Sequence, residues 1–300
     1  SGFAVSQVLV VGMAEMDFVF YVDTFPSGGN KHRARDAAVV GGGCAANADV
    51  AIARLGGKAM LSTRLADDRI GQMIRDDLVG ERVDMSLSDL SGAKSSYSSI
   101  LIDGEGERQI MNYRGKGLVA SPGHLAEAPE VAVVLADTRW SEGALAAMEL
   151  ARARGVPGIL DVEAPAKVDA FGPASHLAFS EQGLSHFYPD LDPEVAIRRV
   201  VQDHDGWVCV TMGPKGVAWC SEAGSGHVPS YTVEVVDTLG AGDVWHGAFA
   251  LRFAEGVNEV EAIRFANAVA ALKCTHPGGR AGSPSRSEVE TFMKEAVTCR

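Results

Sequence analysis

The sequence lacks the features that would place a chain of 300 residues in a membrane or secreted class. It contains no run of 18 apolar residues, so no membrane-spanning helix is expected. Its first residues show no charged segment followed by an apolar one, as a secretory signal peptide would. We therefore expect a cytoplasmic protein without a membrane partner.

Cysteine and positive charge are also scarce. The five cysteines are odd in number and widely spaced, and none forms a CxxC pair, which argues against a disulfide scaffold and a zinc finger. The net charge of −12 argues against nucleic acid as a partner. The motif G-x-x-x-x-G-K-[ST] is absent, which excludes a P-loop nucleotide site. What remains is a globular protein, 46% hydrophobic, that is long enough for one large domain or two modest ones.

Short apolar segments alternate with longer amphipathic ones. This alternation predicts an α/β fold with a mainly parallel sheet between layers of helices. A Ser285-x-x-Glu288 capping box predicts the start of a last helix. The predicted strands are 8–11, 59–63, 131–136, 159–162, 177–180 and 208–212, and the predicted helices are 44–55, 70–78, 141–154, 193–204, 241–255 and 259–274.

Two segments, at about 17–40 and 95–113, interrupt this rhythm with strand-like, non-helical sequence. Within the second, residues 96–102 and 108–112 flank the turn Asp103-Gly104-Glu105-Gly106, which predicts a hairpin. The two segments together predict one small sheet over the carboxyl edge of the main sheet.

Residues 237–243, Asp-Thr-Leu-Gly-Ala-Gly-Asp, are the most informative stretch. The apolar run 233–236 predicts a strand before it, and a helix is predicted from Ala241. Gly240, Ala241 and Gly242 would then present unpaired amides at a helix N-terminus, which is an anion site. Asp243 in the first turn could take a proton from a hydroxyl, so the stretch suits phosphoryl transfer. The alternative is an ordinary glycine-rich turn followed by a helix-stabilising acid.

A second glycine cluster, Gly41-Gly42-Gly43, is followed by Asn47 on a predicted helix. Backbone amides and an asparagine side chain suit sugar hydroxyls. The same stretch matches the dinucleotide fingerprint G-x-G-x-x-A, but it does not follow the first strand as that fingerprint usually does. A nicotinamide enzyme is therefore the weaker interpretation.

Together the two glycine-rich stretches resemble the signatures of the PfkB (ribokinase-like) carbohydrate kinases, and the resemblance covers essentially the whole chain. It implies one kinase domain, 1–300, with a discontinuous β-sheet lid inserted at about 17–40 and 95–113. It also implies ATP and Mg²⁺ as cofactors, a sugar with a primary hydroxyl as acceptor, and a homodimer formed through the lid.

The resemblance also implies roles for individual residues. Asp243 would be the catalytic base, with Gly240, Ala241 and Gly242 as the anion hole. The remaining positions would bind the sugar, namely Asp17, Gly42, Gly43 and Asn47, or the nucleotide, namely Thr211, Gly213, Gly216, Asn267, Gly240 and Gly242.

Two metal positions follow from the same resemblance. Glu181 would organise water around Mg²⁺, although Ala178 stands where the family has an asparagine. Asp237, together with the loop 278–282, would form a monovalent-cation site for K⁺.

Within the family, segments 94–96, 106–108, 112–113, 135–140 and 271–282 are similar to the bacterial 6-deoxy-6-sulfofructose kinases. A sulfonate is a permanent tetrahedral anion, which the arginine fork suits. We therefore expect Lys31, Asn112 and Arg139 to converge on the far end of the sugar. A kinase for a neutral sugar such as fructose or ribose, and a catalytically weak sugar-binding protein, remain as alternatives.

Overall fold

The computed structural model describes residues 6–298 as a three-layer α/β structure carrying a second, smaller sheet. The strands follow the short apolar runs of the sequence. Their bounds are β1 Gln7–Val11, β2 Glu15–Tyr21, β3 Asp36–Gly42, β4 Lys58–Ser62, β5 Arg64–Ala66, β6 Asp89–Gly92, β7 Tyr97–Ile102, β8 Arg108–Tyr113, β9 Val133–Asp137, β10 Gly158–Val162, β11 His176–Ser180, β12 Trp207–Thr211, β13 Val217–Ser221 and β14 Gly224–Val228.

The helices lie between these strands. Their bounds are α1 Cys44–Arg54, α2 Arg69–Gly80, α3 Ser141–Arg154, α4 Glu181–Phe187, α5 Pro193–Asp203, α6 Ala241–Ala254, α7 Glu259–Cys274 and α8 Arg286–Thr298, with short 3₁₀ turns at Gly123–Glu127, Val168–Ala170, Gly213–Lys215 and Gly279–Gly282. No described helix combines the length and the apolar character needed to cross a membrane.

The main sheet has the order β14-β13-β12-β11-β10-β9-β1-β4. Six neighbouring strands of this sheet run parallel, namely β12, β11, β10, β9, β1 and β4. Strands β13 and β14 extend the sheet antiparallel. Successive residues of a strand face opposite sides. Thus Val8 and Val10 join the core that α1, α6 and α7 cover, whereas Leu9 and Val11 join the core under α3 and α5.

Helix α6 lies between α1 and α7, and its residues 244–251 are all buried. A helix that is apolar on every side is a central helix of the core. Its position fixes the N-terminus of α6 at the carboxyl edge of the sheet, where loops of an open parallel sheet form binding sites.

The four-stranded sheet, called the lid here, has the order β3-β2-β7-β8, and β5 and β6 form a separate two-stranded sheet. The predicted hairpin is confirmed, because β7 and β8 pair antiparallel. Tyr97 lies opposite Tyr113 at one end of the pairing, and Ile102 lies opposite Arg108 at the other. The two inserted segments join through the parallel pair β2–β7. Strand β3 ends at Gly42 and α1 starts at Cys44, so the lid continues directly into the helix that carries Asn47.

The predicted α/β class with a small second sheet is confirmed, and α3 and α7 have the predicted bounds. The capping box is also confirmed, since the Glu288 amide donates to Ser285 Oγ and the Ser285 amide donates to Glu288 Oε1, each at 3.3 Å.

The strand predicted at 233–236 is wrong. Val235 and Val236 are 59% and 60% exposed, and within residues 6–298 this run pairs with no strand. Instead, the Val236 and Asp237 amides both donate to the carbonyl of Cys274 at the end of α7, at 2.8 and 3.1 Å.

Candidate active site

Asp243 lies in the first turn of α6 and is held by a residue of α1. Asn47 Nδ2 donates to Asp243 Oδ2 at 2.8 Å. Burial raises the pKa of Asp243 to about 7, helped by the charges of Glu163 and Asp137, while the Asn47 hydrogen bond acts in the opposite direction. A carboxylate that titrates near neutral pH is suited to act as a general base.

A second aspartate organises the surroundings of Asp243. Asp137, at the end of β9, accepts hydrogen bonds from the amides of Met13 at 2.8 Å and of Ala45 and Arg139 at 3.0 Å. A Cβ atom on Gly12 would lie 2.2 Å from the Asp137 carboxylate, so only glycine fits there. Asp137 thus ties the ends of β1 and β9 to the start of α1, a role that the sequence analysis missed.

Asp161 and His246 form a buried pair close to Asp243. Asp161 Oδ1 and His246 Nε2 lie 3.4 Å apart, while His246 Nδ1 donates to the Gly242 carbonyl at 2.5 Å. Three possible metal ligands lie within 4.8 Å of one another, one atom each from Asp161, Asp243 and Cys44. The carboxylates are the oxygen ligands that Mg²⁺ prefers, whereas the Cys44 thiol is a soft sulfur ligand, which suits other metals. The carboxylates therefore fit Mg²⁺ and the thiol does not.

The start of α6 has the shape of an anion site. Gly240 adopts a left-handed conformation with φ of 77°, and the Ala241 amide donates to the Thr238 carbonyl at 3.1 Å. Among the described residues the amides of Gly242 and Asp243 have no backbone acceptor. A Cβ atom on Gly242 would meet nothing within 4 Å. The predicted amides of Gly240 and Gly242 therefore have no backbone acceptor within residues 6–298, and neither has that of Asp243, whereas that of Ala241 is used in the turn.

Asp17 lies on the lid side of Asp243. Burial, and then the neighbouring carboxyl of Glu15, raise the pKa of Asp17 to about 8, and its Oδ1 is buried without a hydrogen-bond partner. A Cβ atom on Gly42 would lie 2.3 Å from Asp17 Oδ2, and one on Gly43 would lie 2.4 Å from the Met13 carbonyl oxygen. An orphaned acceptor between glycines is suited to a sugar hydroxyl.

Arg280 completes this side of the site and was not predicted as a site residue. It is buried, and its Nη1 donates to the Gly42 carbonyl and to Asn47 Oδ1, each at 3.4 Å, while its Nη2 pairs with Asp77. A Cβ atom on Gly41 would overlap the Arg280 guanidinium. The glycine cluster is thus partly explained by an arginine that lies 238 positions from Gly42 in the chain, and no local pattern reveals this contact.

Arg139 lines a cavity of about 90 Å³ between the main sheet and the lid, together with Arg64 and Arg114. Its guanidinium contacts Glu163 Oε2 and the Ala164 carbonyl, each at 3.2 Å. Arg64 lies over the Trp140 ring at 5.0 Å, and Arg114 is exposed. We call these three side chains the arginine cluster.

The expected convergence of Lys31 and Asn112 with Arg139 is not seen. Asn112 Nδ2 donates to Glu15 Oε2 at 2.9 Å and to Ser98 Oγ at 2.8 Å, which holds it within the lid. Lys31 lies exposed in the loop between β2 and β3. Neither residue lines the cavity of the arginine cluster.

A larger cavity of about 430 Å³ lies on the other side of the α6 N-terminus. Asn267 is buried there, donating to the Pro229 carbonyl at 3.1 Å and accepting from Trp245 Nε1 at 2.8 Å. Gly216 has φ of 86°, and a Cβ atom on it would lie 2.3 Å from the Val228 carbonyl oxygen. Gly240 does not line this cavity, whereas the other predicted nucleotide residues do, namely Thr211, Gly213, Gly216, Gly242 and Asn267.

Glu181 begins α4, directly after β11, and the side chain of Ser180 caps this helix. The Glu181 carboxylate is half-exposed and lies 4.0 Å from Lys215 Nζ. Ala178 is fully buried and pairs with Asp161 of the neighbouring strand. The position where the family has asparagine is thus next to the buried Asp161–His246 pair.

Asp237, the other expected metal ligand, already has several protein partners. Its carboxylate accepts from the amides of Leu239, Gly278 and Gly279, at 2.8, 3.0 and 3.1 Å. Arg108 of β8 lies 3.6 Å from its Oδ1, and Lys273 Nζ donates to its main-chain oxygen at 2.8 Å.

Comparison with known sequences agrees with this geometry. The chain is 29% identical to the ribokinase of Bacillus subtilis (strain 168) over 294 residues, which cover 96% of this chain and 99% of the relative. It is 28% identical to fructokinase-1 of Oryza sativa subsp. japonica, over 85% of this chain and 88% of the relative.

Solved structures show the same fold. A candidate ribokinase from Agrobacterium tumefaciens matches with a TM-score of 0.88 and 34% identity, over 98% of this chain and 99% of that chain. The Arabidopsis thaliana ribokinase complexed with ribose and ATP matches with a TM-score of 0.87 and 24% identity, over 97% and 99%.

The sequence profile of the pfkB family carbohydrate kinases matches residues 5–286. Since that match spans nearly the whole chain, the protein belongs to the PfkB family and is a carbohydrate kinase, a phosphotransferase with an alcohol group as acceptor.

Proposed function

We propose that the protein transfers the γ-phosphoryl group of ATP to a primary hydroxyl of a furanose-type ketohexose, with O1 of 6-deoxy-6-sulfofructose as the leading acceptor. One observation carries this proposal. Asp243 and the open Gly242 amide lie between the large cavity and the glycine-lined side that holds Asp17 and Asn47. A donor in the first space and a sugar in the second would meet at the base.

The reaction needs little from the protein beyond positioning and electrostatics. The sugar oxygen attacks the γ-phosphorus, the bond from that phosphorus to the β,γ-bridging oxygen breaks, and ADP leaves. Asp243 takes the hydroxyl proton. The amides of Gly242 and Asp243 stabilise the charge on the transferring group, as an oxyanion hole does. Asp17 would accept a hydrogen bond from another sugar hydroxyl, since its buried Oδ1 has no partner.

Mg²⁺ would be held by carboxylates at the ends of β10 and β11. The candidates are Asp161, which has a carboxylate oxygen within 4.8 Å of one of Asp243, and Glu181, which would act through water. The ion supplies charge neutralisation on the phosphates. With Ala178 in place of asparagine, these carboxylates would hold the metal without an amide neighbour on β11.

The arginine cluster supports an anionic group at the far end of the sugar. Arg64, Arg114 and Arg139 line one small cavity in a protein whose net charge is −12, so this local positive charge opposes the overall field. Arginine matches tetrahedral oxyanions through its fork of donors. A neutral ketohexose or ribose is the alternative acceptor, consistent with the names of the relatives.

A substrate panel tests the proposal. ADP release would be followed with ATP and with fructose, ribose, fructose 6-phosphate or 6-deoxy-6-sulfofructose. We expect sugar-dependent turnover, with the highest kcat/KM for the sulfonated sugar. Higher efficiency with fructose would replace the sulfonate assignment with the neutral-sugar one. Sugar binding without ADP release would indicate a sugar-binding protein.

The lid also supports a homodimer. Large apolar side chains are exposed on its strands, and a symmetric partner lid would cover them. Those that share one face of the lid are Phe20, Val39, Tyr97, Met111 and Tyr113. The described cysteines form no disulfide, which is consistent with a reducing cytoplasm as the site of action.

A further inference from the structure

A buried lysine holds the loop that leads into α6. Lys273, near the end of α7, is 0% exposed, and its Nζ lies 2.8 Å from the Asp237 main-chain oxygen and 3.7 Å from Asp237 Oδ2. The same carboxylate receives the amides of Leu239, Gly278 and Gly279. One ammonium and one carboxylate therefore fix two chain segments that lie far apart in the sequence.

The Asp237 oxygens that a monovalent cation would need as ligands already accept hydrogen bonds from protein groups. An ion between these segments would take the Asp237 carboxylate and carbonyl as ligands, and the ammonium is bound to that carbonyl. The Arg108 guanidinium, 3.6 Å from Asp237 Oδ1, adds a second positive charge. K⁺ would have to give up its water shell beside two fixed cations, which is unfavourable. The residues around Asp237 therefore do not fit the K⁺ site that the family resemblance implies.

We infer that the Lys273 ammonium is the permanent cation of the Asp237 loop and that the enzyme works without a monovalent metal ion. Lys273 acts as a positioning residue, because the loop that it holds ends at Gly240 and the open amides of α6. The effect on catalysis rests on the proposed function, whereas the occupation of the site by Lys273 does not.

The wild-type protein gives the first test. Thermal melting and initial rates would be compared in potassium, sodium and choline chloride at equal ionic strength. We expect no change specific to K⁺ in either measurement. A melting temperature or a rate that rises only with K⁺ would overturn the inference.

Lys273→Met gives the second test, because it removes the charge and keeps an unbranched side chain of similar length. In choline chloride we expect a lower melting temperature and a kcat reduced at least about tenfold, as for loss of a hydrogen bond to a charged group. Potassium or ammonium chloride should restore part of both, since a ligand of the folded state stabilises it. Lys58→Met, at an exposed lysine, is the matched control.

A Lys273→Met protein with unchanged melting and kcat would contradict the inference, as would a damaged one that K⁺ and ammonium leave unrestored. If the variant folds only in potassium, that dependence supports the inference. If the variant does not fold in any salt, the wild-type measurements decide whether the inference holds. If no sugar in the panel is phosphorylated, the proposed function fails. The melting experiments still test whether Lys273 occupies the cation position, so a failure of the proposed function can be distinguished from a failure of this inference.

Discussion

Asn47 Nδ2 and Asp243 Oδ2 lie 2.8 Å apart although 196 positions separate the two residues in the chain. The bond joins the start of α1 to the start of α6, and Arg280 contacts the other side of the same amide. Asp243, the proposed base, is therefore oriented by a residue of the glycine-rich segment that adjoins the lid.

Asp243→Asn keeps the size of the side chain and removes its basicity. We expect kcat to fall by about 10²–10⁴-fold, the usual contribution of a positioned general base. Nucleotide affinity, measured by calorimetry, should change little, because the large cavity is untouched. Asp76→Asn on the surface of α2 is the control, and activity within a few-fold of the parent would show that Asp243 is not the base.

The rate should depend on the ionisation of Asp243. Since the base works deprotonated and its pKa is raised to about 7, kcat/KM should be low in acid and rise with pH through that value. The Asn47 hydrogen bond lowers this pKa, so Asn47→Ala should move the midpoint to higher pH. A pH profile measured on both proteins checks the sign, and a midpoint moving to lower pH would contradict the assigned role of Asn47.

Gly242→Val should fold normally and lose turnover. Gly242 has no positive φ, and its Cβ would meet no atom within 4 Å, so the branched side chain enters the open cavity rather than the core. We expect kcat to fall by at least about 100-fold, the loss seen when an oxyanion-hole donor is removed. Gly172→Val, also in open space with ordinary φ, is the control. A folded and active Gly242→Val protein would remove this amide from the mechanism.

Arg139→Ala should discriminate between acceptors. Removing one partner of a charge-assisted pair in a closed site costs about 2–5 kcal/mol. We therefore expect KM for a sulfonated ketohexose to rise about 30-fold or more, at about 1.4 kcal/mol per tenfold. The same variant should lose far less with fructose, which offers no charge. Equal losses on both sugars would assign Arg139 to a structural role through Glu163.

Met111→Glu should convert the proposed dimer to a monomer. Met111 is 76% exposed on β8, and a carboxylate there would face its symmetry mate. Size-exclusion chromatography with light scattering measures the result. Val168→Glu, at a 55% exposed position outside the lid, should leave the mass unchanged. A monomeric parent protein would refute the lid dimer directly.

The elements with strong local signals could be predicted from the sequence. Helix α7 has an Asn258 cap and a long apolar pattern, and α3 ends at Gly155 in the left-handed conformation, so both were bounded correctly. Strand β14 was missed because Gly224 and Gly226 leave it with little apolar character. The run 233–236 looked like a strand by composition, but its side chains line a cavity and face solvent instead.

The residues of the candidate site also fall into two groups, those with a local sequence pattern and those without one. Asp243 and the glycine cluster carry a local pattern, so they could be identified from the sequence alone. Arg280, Asp137 and Lys273 act through contacts with distant segments, and their burial depends on the tertiary fold. A single lysine or arginine in a sequence is usually a solvated surface charge, so no composition-based argument would have selected them.

The two cavities draw on separate parts of the chain. The residues that line the cavity of the arginine cluster lie between Gly12 and Trp140, and those that line the large cavity lie between Thr211 and Cys274. If the proposed function holds, substitutions in the first part alter which sugar is accepted while the donor side keeps its shape. Sugar preference can diverge among descendants of one ancestral gene without a loss of nucleotide use, and chimaeras that exchange the first 140 residues between relatives should inherit the acceptor of the parent that supplied them.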